Sequence, residues 1–261
     1  MWNAAELERL GSYGEDACMQ DWKQHLYNNY VSTGQAGTNI NRQAGLKIGD
    51  YPYFSNLIQT HLPHAKDIRI VDLACGHGTL IYCLKQLGYR NLEGIDISPE
   101  QVELAHALGI TEIKNQNMQG FLTDKAAEFD VIFLMDVLEP LSKPELFDCL
   151  DQVSSALRPN GMVVIHVPNA EGIFGMRIRY GDVTHENCFT PQSIKQVLSA
   201  CGIGEVACFE DKPIVHGLKS RLRYALWGLL TVPFRLLLAA ETGTTKSVLS
   251  QNMLVIARKN G

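Results

Sequence analysis

The run Ile70-Val71-Asp72-Leu73-Ala74-Cys75-Gly76-His77-Gly78-Thr79-Leu80 constrains this chain more than any other stretch. A β-branched entry leads into it, and a helical apolar spacing (Leu80, Ile81, Leu84, Leu87) leads out. Two glycines stand at the bend between them. The pattern predicts a strand, a tight turn and a helix N-terminus, where free N–H groups and bare backbone meet a polar ligand closely. A second strand, Leu92-Glu93-Gly94-Ile95-Asp96, ends in a carboxylate eighteen residues past Gly78. A carboxylate at about that distance is placed to accept hydrogen bonds from a ribose.

The alternation continues along the chain. Strands are expected at 68–73, 92–97, 111–116, 129–135 and 161–167, and helices at 51–62, 78–88, 99–108, 118–127, 144–157 and 191–202. This spacing predicts an α/β fold with a mostly parallel sheet covered on both faces. Glu205–Phe209 and Met253–Ala257 read as two more strands, an antiparallel hairpin at the sheet edge, for seven in all. Residues 1–50 read as a helical, lid-like N-terminal extension, with 51–261 as the ligand-binding domain. The 261 residues, 46% hydrophobic, suffice for one sizeable core without requiring two. Net charge is −5, which leaves out the basic excess of a nucleic-acid binder. Seven scattered cysteines with no C-x-x-C pair argue against a disulfide framework or a zinc site and for a reducing compartment. The acidic, amphipathic start shows no signal peptide, so a cytoplasmic location is expected.

The ligand is a nucleoside, and two details favour S-adenosylmethionine (SAM) over a dinucleotide. The dinucleotide fingerprint needs a third glycine where the helix packs on the strand, and Ile81 stands there. Asp72, at the end of the first strand, is placed for the methionine ammonium, while Asp96 takes the ribose.

These motifs, in order, resemble those of class I SAM-dependent methyltransferases. The resemblance rests on Asp72–Gly78, Gly94–Gln101, Phe129–Glu139 and Leu157–Met162. It implies a Rossmann-like seven-stranded sheet. It also implies that Asn117 and Met118 flank the adenine and that Met135 borders the methyl-donor pocket. The full expected cofactor set is Tyr30, Asp72, Ala74, Cys75, Gly76, Gly78, Asp96, Ile97, Gln101, Asn117, Met118 and Met135, with no metal. Three positions depart from the family pattern: Ala74 for a glycine, Pro140 for a histidine and Asn160 for a turn glycine. The side chain is small at Ala74, and asparagine at Asn160 tolerates the left-handed backbone.

A hydroxyl acceptor must shed a proton, and histidine is the commonest base. Of eight histidines, His185 is preferred, because its loop, Tyr180–Asn187, follows the fifth strand and precedes a helix begun at Thr190-Pro191. An exposed loop histidine bonding backbone is the plainer alternative. His166 reads as a core histidine inside a strand, and His216 as a loop residue. Tyr27–Thr33, Gly181–Glu186 and Val215–Ser220 resemble enzymes encoded with bacterial surface polysaccharide biosynthesis. That resemblance implies a sugar hydroxyl as acceptor, with a quinone or phenolic hydroxyl as the alternative and a non-catalytic SAM binder as a third reading.

Residues 217–240 form a helical insertion between the last two strands that contains no acid. Its charge-free core is too short to span a bilayer, and Pro233 divides it. Leu222, Leu226, Leu229 and Leu237 share one face, and Arg223, Thr231 and Arg235 another. A membrane interface fits this pattern. A packed helix pair over the acceptor pocket, or a dimer contact, is preferred.

Overall fold

A computed structural model describes residues 51–244 and 246–260. The expected N-terminal extension, with Tyr27 and Tyr30, lies outside the described residues. Helix α1 (Tyr51–His61) precedes β1 (Arg69–Leu73), α2 (Thr79–Gln86), β2 (Asn91–Asp96), α3 (Pro99–Ala107) and β3 (Ile113–Asn115). Then follow α4 (Met118–Leu122), β4 (Phe129–Met135), α5 (Lys143–Ala156), β5 (Leu157–Pro168), a short α6 (Gly175–Arg179) and α7 (Pro191–Ala200). The chain continues with β6 (Ile203–Glu210), α8 (Leu218–Leu230), α9 (Val232–Thr242) and β7 (Asn252–Lys259).

The seven strands lie in the order β3-β2-β1-β4-β5-β7-β6. β1 through β5 are parallel, and β7 runs antiparallel to both β5 and β6. The order reverses between β1 and β4, which makes the carboxyl ends of those strands the ligand crevice of an open α/β sheet. Alternation along each strand decides which side chains reach it. In β1, Val71 and Leu73 pack in one core cluster, whereas Ile70 packs in the other with Leu57 and Ile58 of α1 and Leu80 and Leu84 of α2. Asp72, Met135 and His166 follow the parity of Ile70, Phe133 and Val164, so all three face the layer of α1 and α2.

The helix ends explain several boundaries. Thr190 and Ser193 form a capping box at α7 with Pro191 in the first turn, and Ser142 and Glu145 do the same for α5. Helix α4 ends at Leu122, five residues short of expectation. The chain turns there, with Ala127 at φ 49°, and Lys125 folds back to Glu128 at 3.0 Å. β5 begins earlier than expected, because the turn Leu157–Met162 is a bulge against β4 with Asn160 at φ 61°. The expected division of 217–240 falls at Thr231, and Pro233 sits in the first turn of α9.

Ala74 holds φ 58°, where the family pattern has glycine. A left-handed alanine costs roughly 1–2 kcal/mol, part of which an added glycine returns through unfolded-chain entropy of about 0.4–1 kcal/mol. Ala74→Gly is therefore expected to raise Tm by about 2–4 °C. An unchanged or lower calorimetric Tm would contradict the strain at this residue.

Candidate active site

Gly78 ends the bend at φ 83° and ψ 27° and opens α2 with no side-chain cap. A Cβ there would run into Ile113 and Ile110, so glycine is required both by the backbone and by packing on β3. The uncapped first turn leaves the positive end of the helix for an anionic group. Asp96, at the end of β2, closes the bend from the other side. Its Oδ2 accepts from the Gly76 N–H at 2.7 Å, and its Oδ1 accepts from the Ser98 N–H at 2.8 Å. One carboxylate thus sets both the glycine loop and the start of α3.

Asp72 is 2% exposed, and its Oδ1 has no hydrogen-bond partner. Burial first, and then the neighbouring Asp96 carboxylate, push its carboxyl well above the ordinary 3.8. Gln101, from α3, likewise buries an unpartnered Oε1 and faces Gly76. Orphaned acceptors of this kind are costly unless a donor arrives. The ammonium and the ribose hydroxyls of SAM are such donors, so the residues present fit that group. Cys75 packs beneath the bend, where a Cβ on Gly94 would come within 3.0 Å of its Sγ. Burial raises its thiol pKa and keeps it neutral. Ile97 stands 52% exposed just past Asp96, an apolar platform beside the ribose site. Asn117 spends its Oδ1 on the Gly120 N–H at 2.6 Å as the cap of α4. Its expected adenine bond through that oxygen has to use the remaining lone pair. Met118 packs its sulfur on Cys149 at 3.7 Å, and Met135 lies half-buried at the end of β4.

Beyond Met135 the chain turns sharply, with Asp136 at φ 58°. Strained backbone of this kind persists where surrounding contacts fix it. His166 bridges two acids, with Nδ1 2.6 Å from Asp136 Oδ1 and Nε2 3.3 Å from Asp211 Oδ2. Burial lowers the imidazole pKa, but the two carboxylates outweigh it and hold the ring well above 6.5. Burial in turn raises Asp136, and His166 overcomes that to leave it below 3.8. The pair is therefore imidazolium and carboxylate, with the Asp136 side chain still 63% exposed. Burial, and then Asp136, push Glu139 well above 4.5, which keeps it protonated as a donor to Asp136. Tyr53 of α1 stacks edge-on to His166 at 6.2 Å, its buried hydroxyl close to Asp211 and Asp136.

A cleft of about 370 Å³ opens beside this relay, walled by Tyr53, Phe174, Asp211, His216, Arg223 and Trp227. Trp227 turns a buried, unpartnered indole N–H into its surroundings. The core reading of His166 was incomplete: the ring is buried, yet its partners are two acids at the crevice. Those partners lie 30 and 45 residues away in sequence, and no local pattern marks them. His61, at the end of α1, packs on Phe209 of β6 with the ring centroids 4.8 Å apart.

His185 sits in a loop tied to the turn after β4. The N–H groups of Glu186 and Asn187 both donate to the Glu139 carbonyl, at 2.7 and 2.8 Å. Asn187 is buried and donates to the Leu138 carbonyl. Asp182 Oδ1 accepts from the backbone and hydroxyl of Thr184. The ring of His185 places Nδ1 3.1 Å from the Ile178 carbonyl, which only accepts. Nδ1 therefore carries a proton, and Nε2 is the ring nitrogen left to exchange one. His185 lies close enough to Asp136 to help hold that acid ionised.

Residues 46–203 match the family described as "Methyltransferase domain". The chain belongs to that family. Among solved structures, this methyltransferase superposes on a SAM-dependent methyltransferase from Archaeoglobus fulgidus with a TM-score of 0.60. That match has 18% identity and covers 80% of this chain and 94% of the other. The fold is the class I SAM-dependent methyltransferase fold, and SAM is its cofactor. A ubiquinone biosynthesis O-methyltransferase from Chelativorans sp. (strain BNC1) is 30% identical over 106 residues, 39% of this chain and 41% of the relative. A ribosomal protein L11 methyltransferase from Alkaliphilus oremlandii (strain OhILAs) is 30% identical over 125 residues, 40% of each. The methyltransferase thus spans about two fifths of the length of these curated relatives.

The fit of Asp72 has a measurable consequence. Its raised carboxyl is protonated up to a pH above the ordinary 3.8, and an ammonium beside it favours the ionised form. SAM binding is therefore expected to expel a proton, and affinity to climb with pH between the ordinary and the raised value. Titration calorimetry in buffers of different ionisation enthalpy measures this release. A pH-independent affinity with no proton exchange would remove Asp72 from the ammonium site.

Proposed function

We propose that this methyltransferase methylates a hydroxyl oxygen of a small phenolic or quinol-type acceptor seated in the cleft of Tyr53, Phe174 and Trp227. The observation that carries the reading is the polar relay, Asp211 to His166 to Asp136, which runs from the cleft wall to the end of β4. Strand β4 adjoins β1, so Asp136 lies one strand from the glycine bend. SAM, when bound, supplies an electrophilic methyl group on a sulfonium sulfur. The protein's part is to align a hydroxyl with it, exclude water and accept the hydroxyl proton.

His185 Nε2 takes that proton. Its tautomer is set by the Ile178 carbonyl, and the imidazolium formed is stabilised by the Asp136 carboxylate. His166 has both nitrogens engaged and is already cationic, so its role is to position Asp136 and Asp211 rather than to act as base. Aromatic walls with a few convergent polar groups suit a planar ring bearing hydroxyls. Relatives named for ubiquinone biosynthesis O-methylation support this acceptor class. No relative and no feature of the cleft speaks specifically for the glycan acceptor expected from the loop motifs.

The test is transfer of label from methyl-labelled SAM to two acceptor panels, catechols and hydroquinols in one and nucleotide sugars in the other. Label is expected in the first as an acid-stable methyl ether. Label confined to the sugars would overturn the acceptor class. SAM binding without transfer to any member would favour a non-catalytic protein.

A further inference from the structure

We infer that the nearly continuous α8–α9 helical segment is a docking surface for an anionic lipid bilayer, lying in its interface and not crossing it. The stretch Leu218–Thr242 is apolar and long enough to cross a membrane, yet hardly any of it is buried in the protein. Its orientation is the reverse of an ordinary packed helix. At 100° per residue, Ser220, Trp227, Thr231 and Leu238 share the face turned to the protein, and Ser220 and Thr231 are 5% and 2% exposed. Leu218, Leu222, Leu229 and Leu236 share the opposite face, with exposures of 84, 61, 68 and 65%. Packing has therefore buried the hydroxyl residues and presented the leucines outward. An apolar strip of this extent marks an interaction site.

Three observations choose the bilayer as occupant. First, charge complementarity favours it. From Leu218 to Thr242 the chain has Lys219, Arg221, Arg223 and Arg235 against a single acid, Glu241 at the far end, in a protein of net charge −5. Basic residues flanking a leucine face are the pattern of an interfacial helix on anionic lipid. Second, the same feature disfavours a second copy. A two-fold contact through this face would bring four basic residues of each copy together with only one Glu241 per copy to pair them. Third, α9 is fastened to the catalytic body. Arg235 bonds Glu210 Oε1 at 2.5 Å and the Ser247 carbonyl at 2.8 Å, and the buried Ser220 and Thr231 set the segment along the domain surface. A helix held along the domain surface lies flat in an interface and does not traverse the membrane. Trp227 and Arg223 of the same helix line the cleft, so an acceptor dissolved in lipid has about one helix width, roughly 10–12 Å, to cross.

The experiment is co-sedimentation of the full chain with phosphatidylcholine vesicles and with vesicles of equal parts phosphatidylcholine and phosphatidylglycerol. Every variant is checked for unchanged SAM affinity. Strong partition to the anionic vesicles is expected. Leu229→Glu combined with Leu236→Glu is expected to abolish it. Lys219→Gln combined with Arg221→Gln is expected to lower it about tenfold and to erase the preference for anionic lipid. The proposal is overturned by no binding to either vesicle, or by binding that both double variants leave intact. A dimer in light scattering that the glutamates split overturns it too, because the leucine face then belongs to a second copy.

Discussion

Asp96→Ala binds SAM about 10- to 100-fold more weakly than the parent. A hydrogen bond to a charged group contributes about 1.5–3 kcal/mol, and each 1.4 kcal/mol is a factor of ten in affinity. The loss has two sources. The carboxylate no longer accepts from the ribose, and the Gly76 and Ser98 N–H groups it holds at 2.7 and 2.8 Å lose their common anchor. Calorimetry with SAM and with S-adenosylhomocysteine reads both. The weakening is expected for both ligands, because they share the ribose. Affinity unchanged within a factor of two would mean that the nucleoside lies elsewhere on the sheet.

His185→Ala leaves SAM affinity intact and slows turnover by ~100-fold or more, the usual contribution of a positioned base. The pH profile separates this role from a structural one. Loss of a base removes the rise in rate that accompanies imidazole deprotonation, whereas a loosened loop lowers the rate at every pH. The loop is fastened independently of the ring, through Asn187 and the Glu139 carbonyl, so the alanine variant keeps its frame. Full activity at all pH values would withdraw His185 as base and turn attention to Asp136, whose side chain is largely exposed at the end of β4.

The cofactor half of the site was legible in the sequence because its parts are local. Asp72, Gly76, Gly78 and Asp96 each sit where a strand gives way to a turn, and periodicity finds such places. Strand β4 matched its expected limits, since Phe129–Met135 is apolar but for Asp130 and bounded by charge. The acceptor half was not legible in the same way. His166 follows the parity of a core strand, and its meaning comes from Asp136 and Asp211, which only the folded sheet brings to it. The insertion shows a further limit. A helical wheel sorts 217–240 into faces but does not say which face packs, and the face that packs is the one bearing Ser220 and Thr231. Asn117 is intermediate: its place after β3 was foreseen, but its duty as the cap of α4 was not.

The threading of β7 between β5 and β6 bears on how the chain matures. Among the described residues, β6 has no sheet neighbour except β7, and β5 has none on that side until β7 arrives. During synthesis both therefore wait as open edges, able to pair with another chain, until residues 252–259 have left the ribosome. A nascent polypeptide stalled before that point holds the whole cofactor bend yet lacks the strand that closes its sheet. Ribosome-bound intermediates of this length are where misassembly and chaperone engagement should concentrate.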